Sequence, residues 1–568
     1  MPLSSSDVRV VVGIDFGTKF SGFTYCHLPD GEYTTYDQWI GESGQCQFKT
    51  NTVLQYDETL NNVTSWGYTA LSKRPNRRID RNEKKYIAEL FKLHLGDLKV
   101  KPPLPVDDYK KVITDYLREF GKLIKATINS KWDGIDFMEN VVLVIPVPSE
   151  YSDGAKAVMR KCAYDAELID DRLTEKLQFI TESEAKAIYC MDNCLTERDL
   201  ERSGTTFMIV DCGGGTVDLT TRKLLAEKQL GEITERCGDF CGSTFIDDQF
   251  IKYLRMLLGN ETIDSLIENY YGQLQYLVQE FCQHAKMPFT GDDIDFSFEL
   301  DLENISNILL EFINDNVKQE MENIEWLIKL DYETIKSMFD PVIQRILGLI
   351  NTQLENSREE CSIMLLVGGF SQSQYLQKRV REKFIDRVNI ISVPTNPINA
   401  VSHGAAIYGS NFANMDDKLD MDGLKFVIES RVLKFTYGIK ILSVWKEGDP
   451  IDKKHDSVLF RFKRIAKRGE EAKLNQVFFQ KILYPAVSFQ TCATFEIYYT
   501  RESDAKFCDE PGMFFLGELK IYWPDVEKEL ERPTTFSLSF GKMEIIAKVK
   551  NELNGQIFQT TFGMVTEI

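Results

Sequence analysis

Three times in this chain an apolar run ends in a glycine turn, and that recurrence restricts the fold more than any other feature. Phe207-Met208-Ile209-Val210 reads as a buried strand. Asp211 stands at its end, and Gly213, Gly214, Gly215, Thr216 and Asp218 follow. Three successive glycines weaken strands and helices alike. They suit a backbone that turns sharply and offers bare N–H groups to a close anion, most often a phosphate. An acid at the strand tip can hold a metal-bound water beside that phosphate. A tight hairpin that needs glycines would look the same, and a single cluster does not separate the two readings. Residues 9–18 repeat the pattern with Val10-Val11-Val12, Asp15, Gly17 and Thr18. Residues 362–373 give a third version, in which Gly368 and Gly369 end a strand and open a helix. Two turns that each carry an acid and a threonine can clamp a nucleotide's phosphates from both sides.

The segments between the turns alternate in period. Val112, Ile113, Tyr116, Leu117, Phe120, Leu123, Ile124 and Ile128 recur at helical spacing within residues 106–129. Val141 to Ile145 read as a buried strand closed by Pro146 and Pro148, and a helix is expected over 152–166. Phe179-Ile180-Thr181 is a further strand with Glu182 at its end, leading into a helix over 184–190. This alternation predicts an α/β domain with a partly parallel sheet. Residues 219–235 read as more strands, and Cys237 to Thr244 as a glycine-containing turn that opens a helix over 245–258. Residues 262–353 are expected to be largely helical, with Pro341 at the first position of a helix. His403, in the small-residue stretch 396–406, reads as a packed histidine. Met415 to Gly423 is a polar linker candidate, and the short alternating runs from Leu433 to Val549 suggest a β-sandwich.

At 568 residues the chain has room for about three structural units or more. A net charge of −20 argues against nucleic acid or an anionic membrane as the main partner, since both need a basic face. The basic stretch Lys73 to Lys84 reads as solvated surface. No apolar run approaches the length of a membrane span. The first seven residues show no basic region leading into an apolar core, so no secretory signal is expected. With 12 scattered cysteines, this predicts a cytosolic or nuclear protein with reduced thiols. Cys190/Cys194 and Cys237/Cys241 have ligand-like spacing but no matching histidine pair, and read as free thiols.

In order, Gly13-Ile14-Asp15-Phe16-Gly17-Thr18, Asp211 to Asp218 and Val367-Gly368-Gly369-Phe370-Ser371 resemble the phosphate and adenosine motifs of the actin-like ATPase superfamily. Ile180-Thr181-Glu182, Phe339-Asp340-Pro341-Val342 and Asn396 to Ala406 are similar to the 70 kDa heat-shock chaperones within it. Trp66-Gly67-Tyr68 points to the divergent heat shock 70 kDa protein 12 type, which has no helical lid. The resemblance implies a two-lobed, duplicated ribonuclease H-like nucleotide-binding domain over 8–413, a linker over 414–423 and a β-rich substrate-binding-like domain over 424–568. It implies ATP or ADP with Mg2+, polypeptide partners and a co-chaperone or exchange factor.

Carried over by position, Asp15 and Asp211 would hold the water shell of Mg2+, with Asp218 nearby. Gly17, Thr18 and Gly213 to Gly215 would contact phosphates, Thr216 would line the γ-phosphate pocket, and Glu182 would position the attacking water. Gly242, Ser243, Gln283, Lys286, Gly368, Gly369 and Phe370 would lie along the nucleoside. The family's phosphate lysine should follow a glycine by four residues, but Gly67 leads there to Leu71. Lys19 or Lys73 is the substitute suggested by spacing; Lys19 either faces the phosphates or lies in solvent. Met287 and Gln372 stand where stacking arginines are expected. Loss of a phosphate cation removes transition-state stabilisation more than binding, so ATP binding with slow or absent hydrolysis is expected. The alternatives are a nucleotide-gated scaffold that never cycles and a small-molecule kinase of the same superfamily.

Overall fold

A computed structural model of the chain describes residues 7–562 except 41–45, 72–85, 97–99, 149–150, 173, 196–203, 226–228, 235–236, 306–311, 358, 415–426, 429, 434, 454–457, 474–476, 486, 524–525 and 540–544. The chain divides into two compact units. One draws on 1–150, 158–228 and 236–427, the other on 151–157, 229–235 and 428–568. Apart from Asn414, the expected linker over 414–423 lies outside the described residues.

The first unit is mixed α/β. One sheet contains β1 (Val10–Phe16), β2 (Phe20–His27), β3 (Tyr33–Thr35), β4 (Val141–Val147) and β5 (Leu177–Thr181), in the order β5-β4-β1-β2-β3. β1 pairs antiparallel with β2 and parallel with β4, which is parallel to β5. A second sheet contains β6 (Thr206–Cys212), β7 (Val217–Leu224), β8 (Cys237–Asp239), β9 (Ile363–Val367) and β10 (Ile390–Ser392). Here β6 pairs antiparallel with β7 and parallel with β9, which is parallel to β10. The central connectivity of the first sheet is thus repeated in the second. Every residue of β1, β4, β6 and β9 is buried, which explains why these strands are continuous apolar runs and do not alternate. Asp15 and Asp211 each stand one residue before the end of their strand.

Helices cover the sheets. α1 (Tyr109–Lys131) starts where the Asp108 side chain accepts the Lys110 N–H, and it buries the expected stripe. α2 (Glu182–Cys190) opens on a capping box between Thr181 and Glu184. α3 (Thr244–Leu258), α4 (Tyr332–Asn356), α5 (Gln374–Phe384) and α6 (Ala400–Asn414) are further helices of this unit. Pro341 does not start a helix. It lies inside α4, whose N-cap is Asp331. Ile335, Met338, Phe339, Val342 and Ile343 are buried on both sides of the proline, so one apolar stripe runs through it and outweighs the missing N–H. α6 lies very close to its neighbours: a Cβ on Gly404 would fall 1.7 Å from Ala185 O in α2, and one on Gly13 in β1 would fall 2.2 Å from Ser402 O. His403 stacks on Tyr33 and lies tilted against Tyr189, as a packed histidine should.

In the second unit β11 (Thr436–Val444), β12 (Val458–Ala466), β14 (Cys492–Thr500) and β15 (Met513–Tyr522) form one antiparallel sheet. β13 (Val477–Leu483), β16 (Thr534–Ser539), β17 (Ile545–Asn551) and β18 (Ile557–Phe562) form another. Ile439, Ile497, Leu519 and Ile521 from the first join Phe536, Leu538, Ala547 and Val549 from the second in one apolar core.

Candidate functional site

The three glycine turns are built from close backbone contacts. A Cβ on Gly17 would meet Phe20 O at 2.1 Å, so the β1–β2 bend needs glycine there. Thr18 and Lys19, both half-buried, occupy that bend. At the equivalent β6–β7 bend, Gly213 donates its N–H to Thr216 O at 2.9 Å. Among the described residues no backbone acceptor takes the N–H of Gly214 or Gly215. The Lys19 Cβ lies 3.9 Å from where a Cβ on Gly214 would be, so the two bends face each other.

A further turn braces the second bend from behind. Gly242 and Ser243 donate N–H bonds to Gly215 O and Gly213 O, and Thr244 donates both its N–H and its hydroxyl to Gly214 O. The Lys286 Nζ, almost fully buried, bonds Ser243 O at 2.8 Å and Asp247 Oδ1 at 2.6 Å. Gln283 is exposed. Gly368, at φ +87°, packs so tightly that a Cβ would lie 2.5 Å from Asp211 Oδ1. Gly369 begins the short turn that follows. The resemblance puts Phe370 beside the adenine, but its ring is buried in the apolar core near Phe339. Asp218 stands directly opposite Asp211 across the β6–β7 pair.

The acids do not stand alone. The Lys49 Nζ lies 2.5 Å from Asp15 Oδ2, and the Lys92 Nζ lies 2.8 Å from Glu182 Oε1. Lys186 is ion-paired through its Nζ to Asp211 Oδ2 and lies 3.9 Å from Glu182 Oε2. Only 3% of the Lys186 side chain and 4% of the Lys92 side chain are exposed. Lysine is rarely buried to this extent unless paired. Burial pushes the Asp211 carboxyl above its usual range against the pull of Lys186. For Glu182 burial is the largest single effect and acts upward, but Lys92 and Lys186 together hold the carboxyl below its usual range. Burial works against the Lys186 ammonium, yet Asp211 and Glu182 outweigh it, and Lys186 stays protonated. Lys49 also acts on both Glu182 and Asp211, so the three pairs form one cluster.

Sequence reasoning found the carboxylates and missed these three lysines. Lys19 is at the bend as expected, while Lys73 lies outside the described residues. Lys186 follows Glu182 by four residues on α2, a spacing that puts both on one helix face, and this signal could have found it.

The bend at Gly213 to Gly215 fits a phosphate, since among the described residues the Gly214 and Gly215 amides donate to no backbone acceptor. The carboxylates fit Mg2+ less well. Magnesium is usually held through one or two carboxylates together with substrate phosphates. Here Asp211 Oδ2 is taken by Lys186, Asp211 Oδ1 abuts Gly368, and Asp15 Oδ2 is taken by Lys49.

Comparison with known proteins adds a relationship. Residues 201–393 match a domain of unknown function (DUF8340). Human heat shock 70 kDa protein 12A is 25% identical to this chain, covering 90% of it and 84% of that protein. Human heat shock 70 kDa protein 12B is 23% identical, covering 90% and 83%. The chain is heat-shock-70-like, with its similarity running to the divergent 12 type. Chaperone protein DnaK of Methanothermobacter thermautotrophicus is also 26% identical to it, covering 48% of the chain and 40% of that protein. In this heat-shock-70-like chain Met287 and Gln372, at the positions of the expected arginines, are both exposed. No helix among its described residues is long and apolar enough to cross a membrane.

Proposed function

We propose that this chain is an ATP-binding, chaperone-like protein in which a two-lobed nucleotide-binding domain over 8–413 controls polypeptide binding by a β-sandwich over 424–568. The observation that carries the reading is the pair of facing bends, Thr18-Lys19 and Gly213 to Gly215, each at the tip of a strand with an aspartate one residue before its end. Backbone amides and Lys19 supply donors for a polyphosphate from both sides. Similarity to heat-shock-70 proteins favours a nucleotide bound with Mg2+, whereas the donor set around Asp211 does not favour the metal.

Chemistry of this kind rests on positioning and charge neutralisation. With Glu182 held by two lysines and no lysine four residues after Gly67, slow hydrolysis is expected. Single-turnover ATP hydrolysis by the purified protein, beside Asp211→Ala and Glu182→Ala, tests this. Turnover lost in both variants supports a weak ATPase with these roles for the two acids; the proposed protein works in the cytosol and cycles between two polypeptide affinities. Hydrolysis as fast in both variants as in wild type overturns the assigned roles. Tight ATP binding without turnover favours the second reading, a nucleotide-gated scaffold. The pairing of each acid with a lysine is the observation that speaks for it. ATP-driven release of a bound peptide separates the two.

A further inference from the structure

We propose that Lys186 is the resident cation of this site, standing at Asp211 where hydrated Mg2+ would otherwise be needed, so that the chain takes a nucleoside triphosphate free of divalent metal. The proposal rests on the reading of the two bends as a nucleotide site and adds to it the form of the ligand.

Lys186 is fixed in place by the fold. Its helix starts on a capping box in which Thr181 Oγ1 accepts the Glu184 N–H and Glu184 Oε2 accepts the Thr181 N–H. One residue before the lysine, Ala185 is pinned against Gly404 of α6, where there is no room for a methyl group. α2 therefore has little freedom to slide and carry the ammonium away from Asp211. The Asp211 side chain is only 10% exposed, so water does little to screen the pair.

The three paired acids are also neutralised without a metal. Asp15, Glu182 and Asp211 bring three negative charges, and Lys49, Lys92 and Lys186 bring three positive ones. A divalent ion entering this cluster would have to displace an ammonium or stand beside it, and like charges at that range repel. Asp218, facing Asp211 across the hairpin, adds a carboxylate whose field also acts on Lys186. A lysine ammonium is a compact point charge with three donors. Paired with Asp211, it cancels the carboxylate charge that would otherwise repel a polyphosphate, but it does not draw phosphate oxygens together as a divalent ion would. The arrangement therefore supports binding more than turnover.

Two titrations of the full chain test this. In the first, ATP affinity is measured in EDTA and in Mg2+. Wild type should change by less than about threefold, while Lys186→Ala and Lys186→Met should bind about tenfold or more weakly in EDTA and recover with Mg2+. In the second, Mn2+ is titrated without nucleotide and followed by water-proton relaxation and the thermal unfolding midpoint. Wild type should take up no Mn2+ at this site, whereas Lys186→Ala should bind it and gain thermal stability. The wild-type ATP arm needs no variant that folds. Wild-type ATP binding that collapses in EDTA, or wild-type Mn2+ uptake that Asp211→Asn abolishes, overturns the role given to Lys186. A wild type that binds no ATP in either buffer overturns the nucleotide reading instead, and the Mn2+ titration then decides the role of Lys186 by itself.

Discussion

Replacing Lys92 with methionine keeps the length and apolar stem of the side chain and removes its charge, leaving Glu182 without its nearest partner. Breaking a buried ion pair from one side costs about 3–5 kcal/mol. Two features reduce this figure. The Glu182 side chain keeps 22% of its exposure, and the Lys186 Nζ remains 3.9 Å away. The expected cost of Lys92→Met is therefore about 2 kcal/mol. Glu182→Gln strands a lysine that is only 4% exposed, so its cost should be higher, about 3 kcal/mol. In the double variant no charge of this pair is stranded, and the loss should be about 2–3 kcal/mol, well below the sum of the singles. The coupling energy is then about 2 kcal/mol. Amide hydrogen exchange of peptides from residues 91–95 and from α2 reads this locally, without assuming that the two units unfold together. Strictly additive effects, with coupling below about 0.5 kcal/mol, would refute the claim that the pair is a buried, mutually compensating unit.

Three other outcomes follow from the same geometry. Because the Glu182 carboxyl is held below its usual range, its contribution to stability is present above the unfolded value of about 4.3 and is lost as pH falls through the folded value. The stability gap between wild type and Lys92→Met should therefore close on acidification, and a constant gap in acid denaturation curves would contradict the pairing. Gly404→Ala puts a methyl 1.7 Å from Ala185 O, so α6 and α2 must separate. A loss of about 3 kcal/mol or more in the first unit is expected by thermal unfolding, and an unchanged midpoint would sink the packing argument. Arg532, 1% exposed, donates to the carbonyls of Glu529, Gln490 and Ser488 at 2.6–2.7 Å. Arg532→Lys should cost about 3 kcal/mol in the second unit, because an ammonium cannot match that planar fork; hydrogen exchange there should rise and exchange in the first unit should not.

The parts of the site legible in the sequence were those written in local patterns. Strand ends at Asp15, Asp211 and Val367 could be read because a continuous apolar run meets a glycine that nothing else explains. α1 could be read because its stripe keeps one period for more than four turns, from Val112 to Ile128. The lysines were not legible in the same way. Lys49 and Asp15 are 34 residues apart, and Lys92 and Glu182 are 90 apart. Only the paired fold brings them together, and no local period marks them. Lys186 was the exception, lying one helical turn from Glu182, but a lysine beside an acid usually reads as a solvated pair. Pro341 misled because its local preference for a helix start was overridden by the buried face on both sides of it.

The contact between α6 and the first hairpin also has a temporal side. The Thr24 hydroxyl meets the Ser402 hydroxyl at 2.9 Å across 378 residues of chain. At a synthesis rate of about 5–20 residues per second, roughly 20–75 s separate the emergence of these two groups from the ribosome. For that interval the face of β1 and β2 that α6 will cover has been made and has nothing to cover it. Until then that face is open to wrong partners in the nascent chain.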